Sequence, residues 1–379
     1  EEAYKIVRQK LKDITGKEDK LDKEQAGRDE IMNRDSGIYV AGHRGLVGSA
    51  IVRMLQPKGY TNIIIRTSKE LDIKRQADVE AFFEKEKPEY VFLAAAKVGG
   101  IIANSTYTAE FIYDNIMIAA NVINSAYKTG VKKLLNLGSS CIYPRLAPQP
   151  MKEEYLLTGA LEPTNEPYAI AKISAIKLCR YYNEQYGTNF ISVMPTNLYG
   201  PNDNFDFETS HVLPALVRKF HLARLLGEGK YETIKEDIKR FAPDFKDDVV
   251  LYLSKFGITN EYLQMWGSGE PYREFLYVDD MADACIFLME SYDHKDIGEF
   301  VNIGAEEEIK IKDLAALIKK TVGFEGRIVH DLSKPDGMPR KLSDISKIKA
   351  LGWKPMINLK EGIRKTYEWY LSSGKGVKR

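Results

Sequence analysis

Cysteine and net charge are both scarce in this sequence. Its three cysteines, Cys141, Cys179 and Cys285, are widely separated. That pattern is typical of free thiols in a reducing compartment and excludes a disulfide framework or a CxxC metal site. The 55 basic and 54 acidic side chains leave a formal charge of +1, so no overall field attracts nucleic acid or a membrane surface. We therefore expect neither a bound metal nor a nucleic-acid partner.

Long apolar runs are also missing. No stretch approaches the roughly 18 consecutive apolar residues of a membrane span. The N-terminal residues are charged throughout rather than arranged as a signal peptide. These absences predict a cytoplasmic protein with no membrane partner.

Length and composition predict two lobes with an added N-terminal segment. A chain of 379 residues with 44% apolar content exceeds what one core usually supports. Residues 1–36 are rich in charge of both signs and carry one apolar helical stripe, at Tyr4, Val7, Leu11 and Ile14. We interpret this segment as a partly helical extension whose function the sequence does not reveal.

From residue 38 the sequence alternates between short apolar runs and helical stretches. Five runs predict strands, at residues 38–41, 61–65, 90–96, 133–137 and 190–194. Strands that alternate with helices of this length indicate a parallel sheet covered on both faces. The sequence therefore predicts an α/β fold that begins with a doubly wound parallel sheet.

The predicted fold divides into a cofactor domain and a substrate lobe. The doubly wound (Rossmann) sheet is assigned to residues 37–200, and later segments are expected to return to it. A second, smaller α/β substrate lobe is assigned to residues 201–379. It is predicted to include a helical insertion at about residues 227–261 and a closing helix around residues 359–371.

A glycine-rich loop directly follows the first predicted strand and precedes a helix. Its residues are Gly42, His43, Arg44, Gly45, Leu46, Val47 and Gly48. Glycine at these spacings allows a tight turn, a close approach of the backbone to a pyrophosphate, and close packing of the helix on the sheet. In this context the loop predicts a dinucleotide-binding site.

Basic residues predict that the dinucleotide is NADP(H) rather than NAD(H). Enzymes that prefer NAD place an acidic residue on the ribose hydroxyls after the second strand, whereas this chain has Arg66. His43, Arg44 and Arg66 bring three potentially cationic groups to the place of a 2'-phosphate, which Arg binds bidentately. A solvated strand end is the alternative interpretation of Arg66. Asp72 is expected near the adenine.

Tyr168 and Lys172 form the central pair of a predicted redox site. Their spacing of four residues places them on one face of a helix that follows Pro167. A nearby ammonium lowers the pKa of a phenol, which lets it exchange a proton with a carbonyl or an alcohol. Ser139 and Ser140 follow the fourth predicted strand, at the edge where an open α/β sheet binds its ligands. Hydroxyl, phenol and amine around one carbonyl oxygen suit hydride transfer.

Cys141 and His211 suggest a second kind of chemistry at the same edge. A thiol and an imidazole on opposite faces of a ring could remove and return protons at carbons next to a ketone, because the ketone stabilises the enolate. The alternatives are ordinary buried packing for Cys141 and a structural role for His211.

Seven motifs resemble the GDP-L-fucose synthase family, a group of extended short-chain dehydrogenase/reductases. They are AGHRGLVGSAI from Ala41, LAAAKVGGI from Leu93, LGSSCIYP from Leu137, EPTNEPYAIAK from Glu162, MPTNLYGPNDNF from Met194, REFLYVDDMA from Arg273 and SKPDGMPRKL from Ser333. The resemblance extends over roughly residues 38–372.

The resemblance implies one active site that epimerises C3 and C5 of GDP-4-keto-6-deoxy-D-mannose and then reduces C4 with NADPH, giving GDP-L-fucose. Tyr168 would donate a proton to the C4 oxygen, assisted by Lys172 and Ser139. Cys141 would be the epimerisation base and His211 the acid. Implied cofactor contacts outside the glycine loop are Arg66, Asp72, Leu137, Gly138, Ser139, Ser140, Lys172, Pro195, Thr196, Asn197, Leu198 and His211. Implied substrate contacts are Lys219, Trp266, Arg273 and Asp336.

Two features depart from the family pattern. Lys219 stands where some members have an Arg that contacts the substrate phosphate. The lysine ammonium keeps the positive charge but lacks the planar guanidinium that binds a phosphate through two hydrogen bonds. Roughly 30 extra residues between Leu226 and Leu263 come just before Trp266, beside the expected GDP site. This insertion either covers that site or only enlarges the surface.

Two other functions stay open on the sequence alone. Another sugar-nucleotide epimerase or dehydratase of the same fold would retain its nicotinamide as an internal redox carrier, but it would not need Cys141 with His211. A regulatory protein that binds NADP without catalysis is disfavoured by the intact Ser139, Tyr168 and Lys172.

Assembly is predicted less directly. Helices around residues 111–127 and 166–186 carry apolar side chains on more than one face, which suits a homodimer built on a pair of helices. Burial within one monomer explains much of the same pattern.

Overall fold

A parallel sheet of six strands forms the centre of the first lobe. The computed structural model describes residues 32–334 and 336–373, so the predicted helix of the N-terminal extension lies outside the described residues. The strand order is β2-β1-β3-β4-β5-β9, and every neighbouring pair is parallel. The strands are β1 (Ile38–Ala41), β2 (Ile63–Ile64), β3 (Tyr90–Leu93), β4 (Lys133–Leu137), β5 (Phe190–Pro195) and β9 (Val301–Ile303). This topology confirms the predicted doubly wound fold.

The inner strands are buried along their whole length because both faces of the sheet are covered. Every residue of β1, β3, β4 and β5 is buried. Ile38 and Val40 of β1 point into one core, whereas Tyr39 and Ala41 point into a second core on the other face. Strand β2, at the edge, is half-buried and shorter than the predicted run at residues 61–65.

Helices form layers on both faces of the sheet. Helix α1 packs against α9 on one face, while α2, α4 and α5 pack on the other. The helices are α1 (Leu46–Leu55), α2 (Gln76–Glu86), α3 (Ile101–Thr106), α4 (Thr108–Lys128), α5 (Glu166–Tyr186), α6 (Val212–Gly227), α7 (Tyr231–Phe241), α8 (Val249–Ser254), α9 (Val278–Ser291), α10 (His294–Ile297), α11 (Ile311–Val322), α12 (Ser346–Ala350) and α13 (Leu359–Ser373). Among these helices, none combines the length and apolar character that a bilayer span requires.

The second lobe is a smaller α/β unit with its own core. Two short sheets lie in it, β10-β8-β6 and β11-β7. Their strands are β6 (Asn197–Tyr199), β7 (Tyr262–Trp266), β8 (Tyr272–Tyr277), β10 (Glu308–Lys310) and β11 (Arg327–Asp331). Helices α6, α11 and α13 pack together in this lobe, and α7 and α8 lie within the segment that the sequence assigns to an insertion.

A buried ion pair fastens the α7 segment to the second lobe. Arg218 on α6 is 1% exposed, and its Nε atom lies 2.8 Å from a carboxylate oxygen of Asp237 on α7. The hydroxyl of Tyr370 on α13 donates to the other oxygen of the same carboxylate. The Arg218 guanidinium also lies between the rings of Phe207 and Phe241, 4.1 Å and 3.9 Å from their centres. These contacts make α6, α7 and α13 one packed unit.

Candidate active site

The glycine-rich loop lies between the end of β1 and the start of α1, where its glycines are sterically required. Gly42 has φ +83°, and a Cβ atom there would come within 2.8 Å of the backbone of Ala95. A Cβ atom on Gly48 would lie 2.2 Å from the carbonyl oxygen of Gly42. No side chain caps α1 at Gly45, so the N–H groups of its first turn are left to an external acceptor. This cradle fits the pyrophosphate of a dinucleotide.

The three basic residues expected at the 2'-phosphate lie near one carboxylate, Glu70, whose charge interacts with those of His43, Arg44 and Arg66. Burial lowers the pKa of His43 most, and the charge of Arg44 lowers it further. The Nδ1 atom of His43 is buried and has no hydrogen-bond partner among residues 32–334 and 336–373. The Arg66 guanidinium lies 2.8 Å from a carboxylate oxygen of Glu86 and donates to the carbonyl of Ile65, while its side chain is 32% exposed. Those two contacts use part of its five N–H donors and leave others for a phosphate.

Asp72 has a local structural contact in addition to its expected place near the adenine. Its Oδ1 atom accepts a hydrogen bond of 3.1 Å from the backbone N–H of Lys74, and its carbonyl accepts one from Arg75. Asp72 therefore shapes the turn that leads from β2 into α2.

The ends of β4 and β5 bring the remaining cofactor candidates to the same edge of the sheet. The N–H of Gly138 donates to the carbonyl of Val193, and a Cβ atom on Gly138 would lie 1.9 Å from the side chain of Met194. Thr196 and Asn197 follow β5 directly and donate to the carbonyl of Glu274. The segments Leu137 to Ser140 and Pro195 to Leu198 are thereby adjacent, as expected for parallel neighbours.

Ser139, Tyr168 and Lys172 lie together beyond the end of β4. The Nζ atom of Lys172 donates to the carbonyl of Leu137 over 2.7 Å and lies 5.7 Å from the centre of the Tyr168 ring. Burial lowers the pKa of Lys172 to about 8. Burial also raises the pKa of Tyr168, and a hydrogen bond with Ser139 opposes that rise. The net shift is upward, opposite to the lowering expected from Lys172, because desolvation is its largest cause, so the phenol keeps its proton at neutral pH.

Cys141 lines the cleft beside this set, and His211 lies within range of the charge of Lys341, which lines the same cleft. Cys141 lies in a single turn of 3₁₀-helix, Ser140–Ile142, and its backbone N–H donates to the Ser139 hydroxyl over 3.4 Å. Burial raises the pKa of its thiol, and the charges of Lys341 and Lys172 oppose that rise. Burial and then Lys341 lower the pKa of His211, which begins α6. His211 is nevertheless exposed to solvent at the start of this helix.

Lys341 is the residue of this site that sequence reasoning missed. It lines the same cleft as Cys141, and its charge acts on the pKa values of both Cys141 and His211. It lies within the SKPDGMPRKL motif, but a single lysine in a loop carries no spacing signal that would assign it a role. Asn165 lines the cleft too, and its buried Oδ1 atom has no hydrogen-bond partner among the described residues. That oxygen can accept a hydrogen bond from a ligand hydroxyl.

Three of the four predicted substrate contacts surround the segment that carries Lys341. The guanidinium of Arg273 donates to the carbonyl of Met338 over 2.7 Å, and burial lowers its pKa. Asp336 accepts hydrogen bonds from the backbone N–H and the hydroxyl of Ser268, at 2.8 Å and 2.6 Å. Trp266 is 62% exposed, which leaves its ring open to a planar ligand.

Lys219 lies on α6 and contacts the α7–α8 segment. Its Nζ atom donates to the carbonyl of Phe256 over 3.1 Å, and burial lowers its pKa to about 8. The ring of Phe256 lies 4.6 Å from that of Phe207, in the loop that leads to His211. The Lys219 ammonium has three N–H donors, and one of them donates to the neutral carbonyl of Phe256. The remaining donors can bind an anion.

No group of three or more His, Cys, Asp or Glu side chains suited to a metal ion occurs in residues 32–334 and 336–373. The site instead combines a dinucleotide cradle, a Tyr/Lys/Ser set and a thiol with an imidazole at one edge of a Rossmann sheet. These are the parts of a nucleotide-dependent oxidoreductase.

Comparisons with known proteins agree with this class. The model of the NAD dependent epimerase/dehydratase family matches residues 38–304. GDP-L-fucose synthase 1 from Arabidopsis thaliana is 54% identical over 343 residues, which cover 90% of this chain and 95% of that protein. The chain therefore belongs to the NAD dependent epimerase/dehydratase family, within its GDP-L-fucose synthase group.

Two solved structures from Campylobacter jejuni are also similar. A GDP-6-OMe-4-keto-L-xylo-heptose reductase has a TM-score of 0.86 at 44% identity and covers 90% of this chain and 99% of its own. The GDP-mannoheptose C4 reductase MlghC, with NADP bound, has a TM-score of 0.80 at 45% identity over the same shares. The fold is therefore that of sugar-nucleotide reductases.

Proposed function

We propose that this protein is an enzyme that converts GDP-4-keto-6-deoxy-D-mannose to GDP-L-fucose by epimerising C3 and C5 and then reducing C4 with NADPH. The observation that carries the proposal is the joint placement of Cys141 and Lys341 in the cleft next to Ser139, Tyr168 and Lys172. Reduction alone would not need a thiol there. The identity of 54% to a GDP-L-fucose synthase supports the same substrate.

Epimerisation uses the thiol and the imidazole as a pair. Burial favours the neutral thiol and the neutral imidazole in the free protein, so one proton first moves from Cys141 to His211. The Cys141 thiolate then takes a proton from the carbon next to the ketone, and the His211 imidazolium returns one to the opposite face of the ring. The hydroxyls of Ser139 and Tyr168 donate to the enolate oxygen in between. The charge of Lys341 stabilises the thiolate. Transfer of the thiol proton back to the imidazole then restores both groups for the second carbon.

Reduction uses Tyr168 as the proton donor. NADPH, when bound, supplies the hydride to C4. Burial keeps the pKa of the Tyr168 phenol high, so it holds its proton until charge develops on the C4 oxygen. Ser139 orients that oxygen, and Lys172 is held at the end of β4 where it can bind the nicotinamide ribose.

NADP(H) is the proposed cofactor. The glycine cradle holds the pyrophosphate on the first turn of α1, and His43, Arg44 and Arg66 surround the position of the 2'-phosphate. Asp72, the Leu137 to Ser140 segment and the Pro195 to Leu198 segment are proposed to complete the contacts. MlghC, which is 45% identical, was solved with NADP bound.

The proposal is tested by incubating the protein with NADPH and GDP-4-keto-6-deoxy-D-mannose in deuterated water. We expect one NADPH consumed per GDP-L-fucose formed, with deuterium at C3 and C5. Turnover without net NADPH oxidation would instead identify a 4-epimerase or dehydratase that recycles its nicotinamide. Absence of any turnover would reject the proposal.

Reduction of a GDP-heptose is the second candidate, because two heptose reductases are 44% and 45% identical to this chain. The two candidates differ at C6, where a heptose carries extra atoms and a 6-deoxy sugar a methyl group. Competition between a GDP-4-keto-heptose and the 6-deoxy substrate decides between them. A larger kcat/KM for the heptose would replace the first proposal.

A homodimer through α4 and α5 is the proposed assembly. Tyr113, Tyr127, Tyr181 and Tyr186 on these helices are exposed, and the rings of Tyr127 and Tyr186 stack at 4.2 Å. Light scattering of the wild type and of Tyr181→Glu tests this assembly, because a charge placed in the contact should yield a monomer.

The cytoplasmic location, the limits of the two domains and the N-terminal extension stay predictions of the sequence.

A further inference from the structure

Glu274 is a fully buried carboxylate in β8, next to the proposed substrate ligand Arg273. One of its oxygens accepts hydrogen bonds from the backbone N–H groups of Ala305 and Glu306, at 2.7 Å and 3.0 Å. The other accepts from the N–H of Ser343 at 3.0 Å. Three N–H donors from two separate loops therefore converge on one side chain, which suits an ionised carboxylate.

The loop that follows β9 is folded tightly around this carboxylate. A Cβ atom on Gly304 would come within 2.3 Å of a Glu274 carboxylate oxygen, so no larger residue fits there. Glu306 has φ +61°, a conformation that side-chain-bearing residues rarely adopt. The hydrogen bonds from Ala305 and Glu306 help to hold this turn in place.

The loop that contains Ser343 also carries Lys341. Its backbone is held on both sides of the lysine: the carbonyl of Met338 accepts from Arg273, and the N–H of Leu342 donates to Gln149 over 2.8 Å. The bond from Ser343 to Glu274 fixes the next residue. The Lys341 side chain consequently enters the cleft that Cys141 also lines.

The backbone of Glu274 contacts the opposite side of the site. Its carbonyl accepts from the Asn197 side chain at 2.8 Å and from the Thr196 hydroxyl at 3.4 Å. These two residues belong to the proposed nicotinamide segment. Glu274 therefore connects two parts of the site. Its main chain contacts the nicotinamide segment, and its side chain contacts the loop that carries Lys341.

We infer that Glu274 is a positioning residue for epimerisation: its carboxylate holds the Lys341 loop so that the lysine faces Cys141 and His211. It touches neither substrate nor cofactor. The inference rests on the proposed function, in which Cys141 and His211 move protons at C3 and C5. Asn197 and Thr196 contact the backbone carbonyl of Glu274, which the substitution leaves in place. The Thr196 hydroxyl also interacts with the carboxylate, and an amide oxygen at position 274 can still accept from it.

Glu274→Gln tests this inference, with Asp280→Asn as the matched control. Asp280 on α9 is also buried, and one of its oxygens accepts backbone N–H groups from Met356 and Ile357. Both variants exchange a buried carboxylate for an amide, and both should lower the melting temperature. Only Glu274→Gln removes a restraint on the Lys341 loop.

Three measurements separate positioning from general stability. In Glu274→Gln, deuterium exchange at C3 and C5 should fall about tenfold to a hundredfold, while NADPH affinity and reduction of the already epimerised 4-keto sugar stay within about twofold. Asp280→Asn should keep the wild-type ratio of exchange to reduction. An equal ratio in the two variants would overturn the inference.

A double-variant comparison assigns the effect to Lys341. Lys341→Gln alone should slow exchange, and Glu274→Gln added to it should slow exchange no further. Additive losses would overturn the inference. If Glu274→Gln does not fold, Glu274→Asp replaces it, since the shorter carboxylate keeps the charge but cannot reach both loops. Failure of wild-type turnover would reject the proposed function, whereas normal exchange in these variants would reject only the inference.

Discussion

The Nζ atom of Lys172 donates a hydrogen bond to the main-chain oxygen of Leu137 across 2.7 Å. This bond joins helix α5 to the last residue of β4, two positions before Ser139. The serine, the lysine and Tyr168, one helical turn before the lysine, are consequently held by rigid elements. Their geometry is in place before any ligand binds.

Tyr168→Phe should abolish reduction and leave NADPH bound. The change removes only the hydroxyl that supplies the C4 proton, so hydride transfer should slow by about a hundredfold or more. Single-turnover oxidation of NADPH measures the step, and fluorescence titration measures NADPH affinity. Unchanged turnover would refute the assignment of Tyr168 as proton donor.

Cys141→Ser should slow epimerisation more than it weakens NADPH binding. A serine hydroxyl keeps the shape of the side chain but is a far weaker acid than a thiol, so the base at C3 and C5 is lost. Incorporation of deuterium from solvent at these carbons is the measurement. As a control, Cys179→Ser removes a buried thiol in the core of the first lobe and should leave exchange unchanged. Exchange that persists in Cys141→Ser would assign the base to another residue.

Binding of GDP should weaken as the pH rises above about 8, because the pKa of Lys219 in the free protein is lowered to about 8. The protonated amine binds the diphosphate, so its loss raises the Kd by about tenfold per pH unit above that value. The phosphate itself is already fully ionised there, since its second pKa is about 6. Calorimetric titration from pH 7 to pH 9.5 follows the effect.

Lys219→Arg is the matched control for this pH dependence. A guanidinium stays charged throughout the range, so its Kd for GDP should be flat with pH. A flat profile in the wild type as well would show that Lys219 does not bind the phosphates.

Phe256→Ala should raise the KM for the GDP sugar about threefold to tenfold. The kcat and the affinity for NADPH should stay unchanged. Removing the ring takes away its packing on Phe207, and with it the support for the carbonyl that holds Lys219. Phe245→Ala, the same substitution in the same segment, removes a ring contact with Tyr252 and packing on the core of the second lobe, and serves as the control. Equal changes in both variants would argue for a general loss of packing.

Gly48→Ala should destabilise the fold and abolish NADPH binding together. The added Cβ atom would lie 2.2 Å from the Gly42 oxygen, so the loop must open and α1 must move from the sheet. We expect a loss of about 1 to 3 kcal/mol in the free energy of unfolding. Gly37→Ala, where the added atom meets only ordinary contacts of 3.6 Å or more, should behave as the wild type in both thermal melts and NADPH titration.

Local patterns allowed the first lobe to be predicted from the sequence. Buried strands such as β1, β3, β4 and β5 appear in the sequence as short, mainly apolar runs. The glycine loop before α1 is likewise recognisable from residues that lie next to one another in the sequence. Tyr168 and Lys172 were found for the same reason, since their spacing is that of one helix face. Strand β2 was predicted too long because an edge strand has few partners.

Other parts of the site depend on contacts between distant segments. Lys341 and Cys141 line the same cleft although 200 positions separate them in the sequence. Lys219 donates a hydrogen bond to Phe256, which lies 37 positions further along the chain. The pairing of Arg66 with Glu86 joins β2 to α2 by side chains alone. The spacing of residues in the sequence does not show such contacts, because each depends on how separate elements pack together in the folded protein. The family resemblance identified Lys219 as a candidate substrate contact, but it did not identify Phe256 as the residue that Lys219 contacts.

The position of β9 at the edge of the first sheet has a consequence for synthesis on the ribosome. Its residues, Val301–Ile303, are translated long after β5, with which it pairs. Until they emerge, the nascent chain carries an apolar parallel sheet with an open edge, which is prone to pair with other chains. Fragments that stop near residue 200 should therefore aggregate, and co-expressed chaperones should improve the yield of the whole chain.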